Sequence, residues 1–253
     1  MVSERVYVLL PPSESKKPGG DHVVAPGFFD ESLGDARRAV LSALGAAEAA
    51  ASAEEATRLL KVRGELLERA RAATRLLVQG SAALMPAWQR YDGVVWTHLG
   101  PERLDEAALE RVLIPSALYG LNRGTDLIAE YRLTFKVSLD PLGPLARYWR
   151  EPLGRCLEGL AGVTLVDLLP KEHAAALADV GRVAKVERVP VHFRRADGDA
   201  VAGHDAKAAK GELARRILLE GLGAVGAFRW RGWRGRERGG VFEVRAPKTR
   251  AAS

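Results

Sequence analysis

The chain has 253 residues, 47% hydrophobic and 28% charged, enough for a sizeable core in one large domain or two small ones. No apolar run approaches the roughly 20 residues that cross a bilayer, and the single cysteine, Cys156, excludes an intramolecular disulfide and a cysteine-based zinc site. The net charge of +6 is uneven: Arg182 to Arg250 holds 17 Lys+Arg against 8 Asp+Glu, and the remainder holds 21 against 24, so an anionic partner is expected, nucleic acid first.

The sequence passes from Met1-Val2-Ser3-Glu4-Arg5 directly into Val6-Tyr7-Val8-Leu9-Leu10, an apolar run closed by Pro11-Pro12 that reads as a buried strand. The start shows no signal-peptide pattern, so a cytoplasmic protein is expected. Ser13 to Gly20 is a polar loop just after the strand's C-terminal end, where α/β sheets often bind ligands. Glu31 to Leu77 is alanine-rich and helical, with Ser52-Ala53-Glu54-Glu55 as a capping box. Within it, Leu59-Leu60-Lys61-Val62-Arg63-Gly64 is similar to the first half of a helix-hairpin-helix hairpin. Leu66 stands where the usual second glycine would be, so an ordinary connection or one continuous helix is the competing reading.

Tyr91 to Trp96, Val112 to Ile114 and the alternating Tyr131 to Val137 read as strands. Ala146 to Leu160 reads as an amphipathic helix that Pro152 and Gly154 could interrupt. Val163 to Leu169 reads as a buried strand, Lys171 to Leu177 as a helix, and Val183 to Phe193 as containing a strand. Arg229 to Arg238 mixes Trp230 and Trp233 with five arginines. Such a stretch can stack on bases and touch phosphates, or be a poorly packed hairpin tip. Val241 to Arg245 closes as a strand. Without repeats or a long linker, the expectation is one α/β domain over residues 1–253, with a mixed sheet and flanking helices, including the hairpin-like element.

Between the last two segments lies His204-Asp205-Ala206-Lys207-Ala208-Ala209-Lys210-Gly211, opening a helix that continues through Leu219. Residues three apart are neighbours on a helix, so His204, Lys207 and Lys210 form an arc near its start. A helix start is already partially positive, so lysines there call for an anion. Asp205 and Glu212 could supply that charge internally.

Four segments together resemble the YaaA family of bacterial peroxide-stress proteins. They are Leu9-Leu10-Pro11-Pro12-Ser13-Glu14-Ser15-Lys16; Ser116-Ala117-Leu118-Tyr119-Gly120-Leu121 continuing through Asp126 to Tyr131-Arg132-Leu133; Asp167-Leu168-Leu169 with Glu172; and Lys207-Ala208-Ala209-Lys210-Gly211 ahead of Arg215. Their order spans nearly the whole chain. The sequence departs from the family at Val94, Gly124, Glu130, Asp167 and His173. The resemblance implies a cytosolic protein that aids survival of peroxide stress by limiting free iron and oxidative DNA damage. It also implies binding of duplex or distorted DNA in a positively charged cleft, with a helix-hairpin-helix-like element and no firmly assigned reaction.

On that basis Lys16, Ser13, Tyr119, Arg132, His204, Lys207, Lys210 and Arg215 are the candidate DNA- or anion-binding residues, with Lys61, Arg63 and Gly64 in the hairpin. Each also has a structural reading: Ser13 as a turn cap, Arg132 as partner of Asp126. Gly211 would allow close backbone approach. Glu172-His173 with His22, His98, His192 and His204 lacks the spacing of a metal site, so no metal or cofactor is expected. Ser116 lacks the glycines of a nucleophile elbow. Three hypotheses follow: a monomeric nucleic-acid-binding protein, an enzyme on a phosphorylated or nucleotide ligand with His204 or Glu172 moving protons, and a partner-binding protein without a ligand.

Overall fold

Continuous apolar runs, as expected of strands covered on both faces, make the centre of the fold. The computed structural model describes residues 5–21, 27–178, 185–201 and 203–247. The strands are β1 (Val6–Leu9), β2 (Leu84–Pro86), β3 (Val112–Ser116), β4 (Gly120–Arg123), β5 (Leu127–Ala129), β6 (Ser138–Leu139), β7 (Gly143–Pro144), β8 (Thr164–Asp167), β9 (Glu187–Arg194), β10 (Arg229–Trp230), β11 (Trp233–Arg238) and β12 (Val241–Arg245). The helices are α1 (Asp30–Ala50), α2 (Ala53–Leu60), α3 (Glu65–Val78), α4 (Ala87–Arg90), α5 (Val94–Leu99), α6 (Glu106–Glu110), α7 (Leu145–Tyr148), α8 (Arg150–Glu158), α9 (Lys171–Ala174), α10 (His204–Glu220) and α11 (Ala224–Ala227).

Eight strands form one mixed sheet in the order β10-β11-β12-β9-β8-β1-β3-β4. β1 runs parallel to β3 and β8, β8 to β9, and β9 to β12, while β4, β11 and β10 join antiparallel at the edges. Counted among themselves, the five parallel strands lie in the order 2-1-3-4-5. The winding reverses between β1 and β8, and ligands of open α/β sheets bind outside the C-terminal strand ends at such a reversal. By that rule a binding crevice is expected where Leu10–Lys16 leaves β1 and Leu168 leaves β8.

One hydrophobic core joins the sheet to the helices. The capping box at α2 forms in both directions, with Glu55 N donating to Ser52 Oγ and Ser52 N to the Glu55 carboxylate. α10 packs on α5 and β1. A Cβ on Gly211 would lie 2.2 Å from Val95 O, so glycine there sets the approach of the two helices.

Three expected elements differ. Val94–Leu99 is the helix α5 rather than a strand, because its backbone is packed against α10 and tertiary contact overrides the β-propensity of Val94-Val95-Trp96. Tyr131 to Val137 keeps the expected alternation, with residues 131, 133, 135 and 137 buried, but among the described residues it pairs with no strand. The helix near Ala146 divides at Trp149 into α7 and α8, and Pro152 and Gly154 lie within α8. The strand expected from Val183 begins at Glu187, and residues 183 and 184, like His22 and the basic tail from Lys248, lie outside the described residues.

Candidate functional site

Lys16 stands at the mouth of the crevice, in the loop leaving β1. The loop is fastened by Arg90, a fully buried arginine whose guanidinium donates to the carbonyls of Lys17, Gly19, Ala83 and Ile128. Lys16 Nζ donates to Ser13 O at 2.9 Å and lies 4.1 Å from the centre of the Tyr131 ring. The residue is partly exposed, but its ammonium is enclosed. Burial, reinforced by the positive charge of Arg132, lowers its pKa from 10.5 to about 7. The ring face and nearby acids favour the charged form but do not win.

Behind the lysine is a buried polar chain. Ser116 Oγ donates to Tyr131 Oη at 2.8 Å, and the Tyr131 and Tyr91 hydroxyls lie 2.9 Å apart. Burial raises the pKa of both phenols, so they stay protonated near neutrality. Asn122, 1% exposed beside Tyr91, has no hydrogen-bond partner for Nδ2. Tyr119 joins edge-on to Tyr131, and its hydroxyl accepts Ala129 N. Ser13 is engaged within the loop: it donates to Ser15 O and accepts Asp92 N.

Arg132 does not pair with Asp126, whose carboxylate accepts the backbone N–H groups of Phe28 and Arg123. Its Nε donates to Leu60 O at the end of α2, and its guanidinium reaches the backbone and carboxylate of Glu14. From α3, Arg69 pairs with Glu130 and donates to Lys16 O. These contacts fasten the α2–α3 hairpin beside the lysine loop. Its connection holds exposed Arg63, Lys61 in a left-handed conformation and Gly64 at φ 58°. Glu65 and Glu68 occupy the first turn of α3, where they answer its positive end from within.

The other rim comes from β8, α9 and α10. Leu168 N donates to Leu9 O, and Lys210 Nζ donates to Leu168 O at 2.9 Å. Burial lowers the pKa of Lys210, opposed by Asp167. Asp167 is held by Arg188 at 2.7 Å. His173 is shielded, its pKa lowered by burial and its Nδ1 without a hydrogen-bond partner. Adjacent Glu172 pairs with Lys136 at 2.6 Å. His204 and Lys207 are exposed on the preceding turns of α10, while Arg215 pairs with Glu212 at 2.6 Å and faces an internal partner. The structure thus brings Lys16, Ser13, Tyr119 and Arg132 together with the hairpin on one rim. Lys210 and Lys207 lie on the other, and Arg215 stands apart in an ion pair.

Sequence reasoning passed over Tyr91, Asn122 and Arg90. It also left Tyr131 without a role, although the alternation of Tyr131 to Val137 puts it on the face opposite Arg132. Among the described residues no group of three His, Cys, Asp or Glu side chains could hold a metal, and no helix is long and apolar enough to cross a membrane.

The sequence profile of the peroxide stress protein YaaA family matches residues 6–237. A UPF0246 protein of Streptomyces coelicolor is 35% identical over 238 residues, 87% of this chain and 86% of that protein. Another from Corynebacterium efficiens is 34% identical over 214 residues, covering 83% and 84%. A third, from Caulobacter vibrioides, is 34% identical over 140 residues, about half of each chain. With the likeness running nearly end to end, the chain belongs to the YaaA (UPF0246) family of peroxide stress proteins.

Proposed function

We propose that this family member acts in the cytoplasm as a monomer that binds duplex or distorted DNA across the switch-point crevice and limits iron-dependent damage to it. The observation that carries this reading is the double fastening of the α2–α3 hairpin to the lysine loop by Arg132 and Arg69. It holds the exposed hairpin turn next to the Lys16 loop, which supports a shared contact with a phosphate backbone. Lys16, Lys207, Lys210, Lys61 and Arg63 then position phosphates, and binding is largely electrostatic.

The test is duplex binding across a salt series for wild type and Lys207→Ala/Lys210→Ala. Two lost phosphate contacts lower the slope of log K against log salt by about 1.8. A wild-type protein that binds no DNA at low salt would sink the proposal.

A second reading is an enzyme acting on a phosphorylated or nucleotide ligand. The enclosed Lys16, about half deprotonated at pH 7 and backed by Tyr131 and Ser116, favours it, since a lysine of lowered pKa can serve as base or nucleophile. A rise in melting temperature with a free nucleotide, lost in Lys16→Met, would support this reading over the first.

A further inference from the structure

The surroundings of Lys16 fit an amine better than an ammonium. Its Nζ donates to Ser13 O at 2.9 Å and meets no other hydrogen-bond acceptor among the described residues. A second N–H can face the Tyr131 ring, whose centre is 4.1 Å away, with the Tyr91 ring at 5.5 Å. An ammonium has three N–H groups and no lone pair. A neutral amine has two N–H groups and one lone pair. Carbonyl and ring thus satisfy the amine and leave its lone pair without a partner. Burial and the charges of Arg132 and Arg90 oppose the ammonium as well.

A lysine held in this form attacks electrophilic carbon. Lys16 is itself partly exposed, in a turn with exposed Glu14 and Ser15, so a small molecule has a way in. The terminal nitrogens of Arg132 are answered there by Glu14 alone, 3.3 Å from its backbone oxygen and 3.4 Å from its carboxylate, on a side chain 86% exposed. A phosphate or carboxylate on the incoming molecule can displace so weak a partner and take two parallel hydrogen bonds.

We propose that Lys16 forms an imine with a small aldehyde or ketone carrying a phosphate or carboxylate, the anionic group resting on Arg132. This names a substrate class for the enzyme reading above and rests on it. The nitrogen lone pair forms the N–C bond while the carbonyl π pair moves onto oxygen. The hydroxyl then leaves as the nitrogen pair closes C=N, and both amine hydrogens depart in the water formed. No oxidant or reductant is consumed. Once protonated, the imine is a cation over the Tyr131 ring, which favours it.

Glycolaldehyde phosphate and glyoxylate are the anionic probes, and glycolaldehyde is the uncharged one. Each is added at pH 7 with sodium cyanoborohydride, which reduces the imine to a stable secondary amine, and peptide mass mapping locates the label. Lys16 is expected to label at least about tenfold faster than exposed Lys17, because an ordinary lysine is almost wholly protonated at pH 7. At equal concentration the better anionic probe labels Lys16 at least about fivefold faster than glycolaldehyde, and which probe it is tells phosphate from carboxylate. Glu14→Ala, at an exposed position, melts like wild type and widens that ratio. Arg132→Gln brings it to about one. Because each comparison is a ratio between probes, changes in Lys16 protonation cancel.

Lys16 labelling no faster than Lys17 overturns the imine. Equal rates for charged and uncharged probes, unmoved by Glu14→Ala, overturn the anionic substrate class. If labelling fails while a nucleotide still raises the melting temperature in wild type and not in Lys16→Met, the enzyme reading stands and only the imine falls. If both fail, the two fall together.

Discussion

Replacing Lys16 by methionine removes the charge and keeps a stem of similar length over the Tyr131 ring. In the unfolded chain this lysine titrates near 10.5, and in the folded protein near 7. Between those values the unfolded state holds the extra proton. Wild-type stability therefore rises with pH from about 7 towards 10.5 and is penalised most below 7. The full displacement corresponds to about 5 kcal/mol. Lys16 is partly exposed, and solvent relaxation reduces the figure to about 1–3 kcal/mol. The lost hydrogen bond to Ser13 O adds an offset that does not vary with pH. In urea denaturation followed by circular dichroism, Lys16→Met gains on wild type at pH 6, and that gain shrinks by about 1–3 kcal/mol by pH 10. Parallel pH profiles for the two proteins would show that the ammonium is solvated and the enclosure wrongly described.

Gly211→Val drives a side chain into Val95 O and Leu99 N and is expected to destabilise by more than about 3 kcal/mol, the upper end for overpacking, read as a lower urea midpoint. Arg90→Ala leaves four carbonyls without their donor and releases the segment from Lys17 to Gly19. A loss of about 3–5 kcal/mol is expected, with faster amide exchange in that segment than in β1. Wild-type exchange there would mean that Arg90 does not hold the loop.

The strands at the heart of the fold were legible because Val6 to Leu10 and Val163 to Leu169 are apolar runs with turn residues at their ends. The α2 cap was legible because its two partners are three residues apart. α5 was not, because Val94-Val95-Trp96 is β-like locally and becomes helical against Gly211 of α10, 115 residues later in sequence. Arg90 gave no sign either: nothing in Ala87-Trp88-Gln89-Arg90 marks an arginine that will be wholly buried, since its partners are four carbonyls contributed by three other segments. The position of Lys16 after β1 pointed to a site, but its altered protonation arises from Tyr131 and Arg132, which reach it only through tertiary folding. Arg215 shows the opposite case, a cation in a matched motif answered by Glu212 one turn away. The Arg229–Arg238 stretch was open between a disordered tip and a binding segment, and pairing of β11 with β12 resolves it as an ordered sheet edge.

The phosphate contact proposed at the crevice carries its own pH dependence. Burial holds the Lys16 ammonium at about 7, so its charge is conditional near neutrality. A phosphate arriving there must first restore a proton. Above pH 7, each further unit weakens a contact that needs charged Lys16 by about 1.4 kcal/mol, or tenfold, until other contacts dominate. At fixed ionic strength, duplex affinity should therefore fall from pH 6.5 to 8.5, and Lys16→Met should flatten that curve. If wild type and Lys16→Met follow one pH curve, Lys16 contacts no phosphate and the reading of the crevice is wrong.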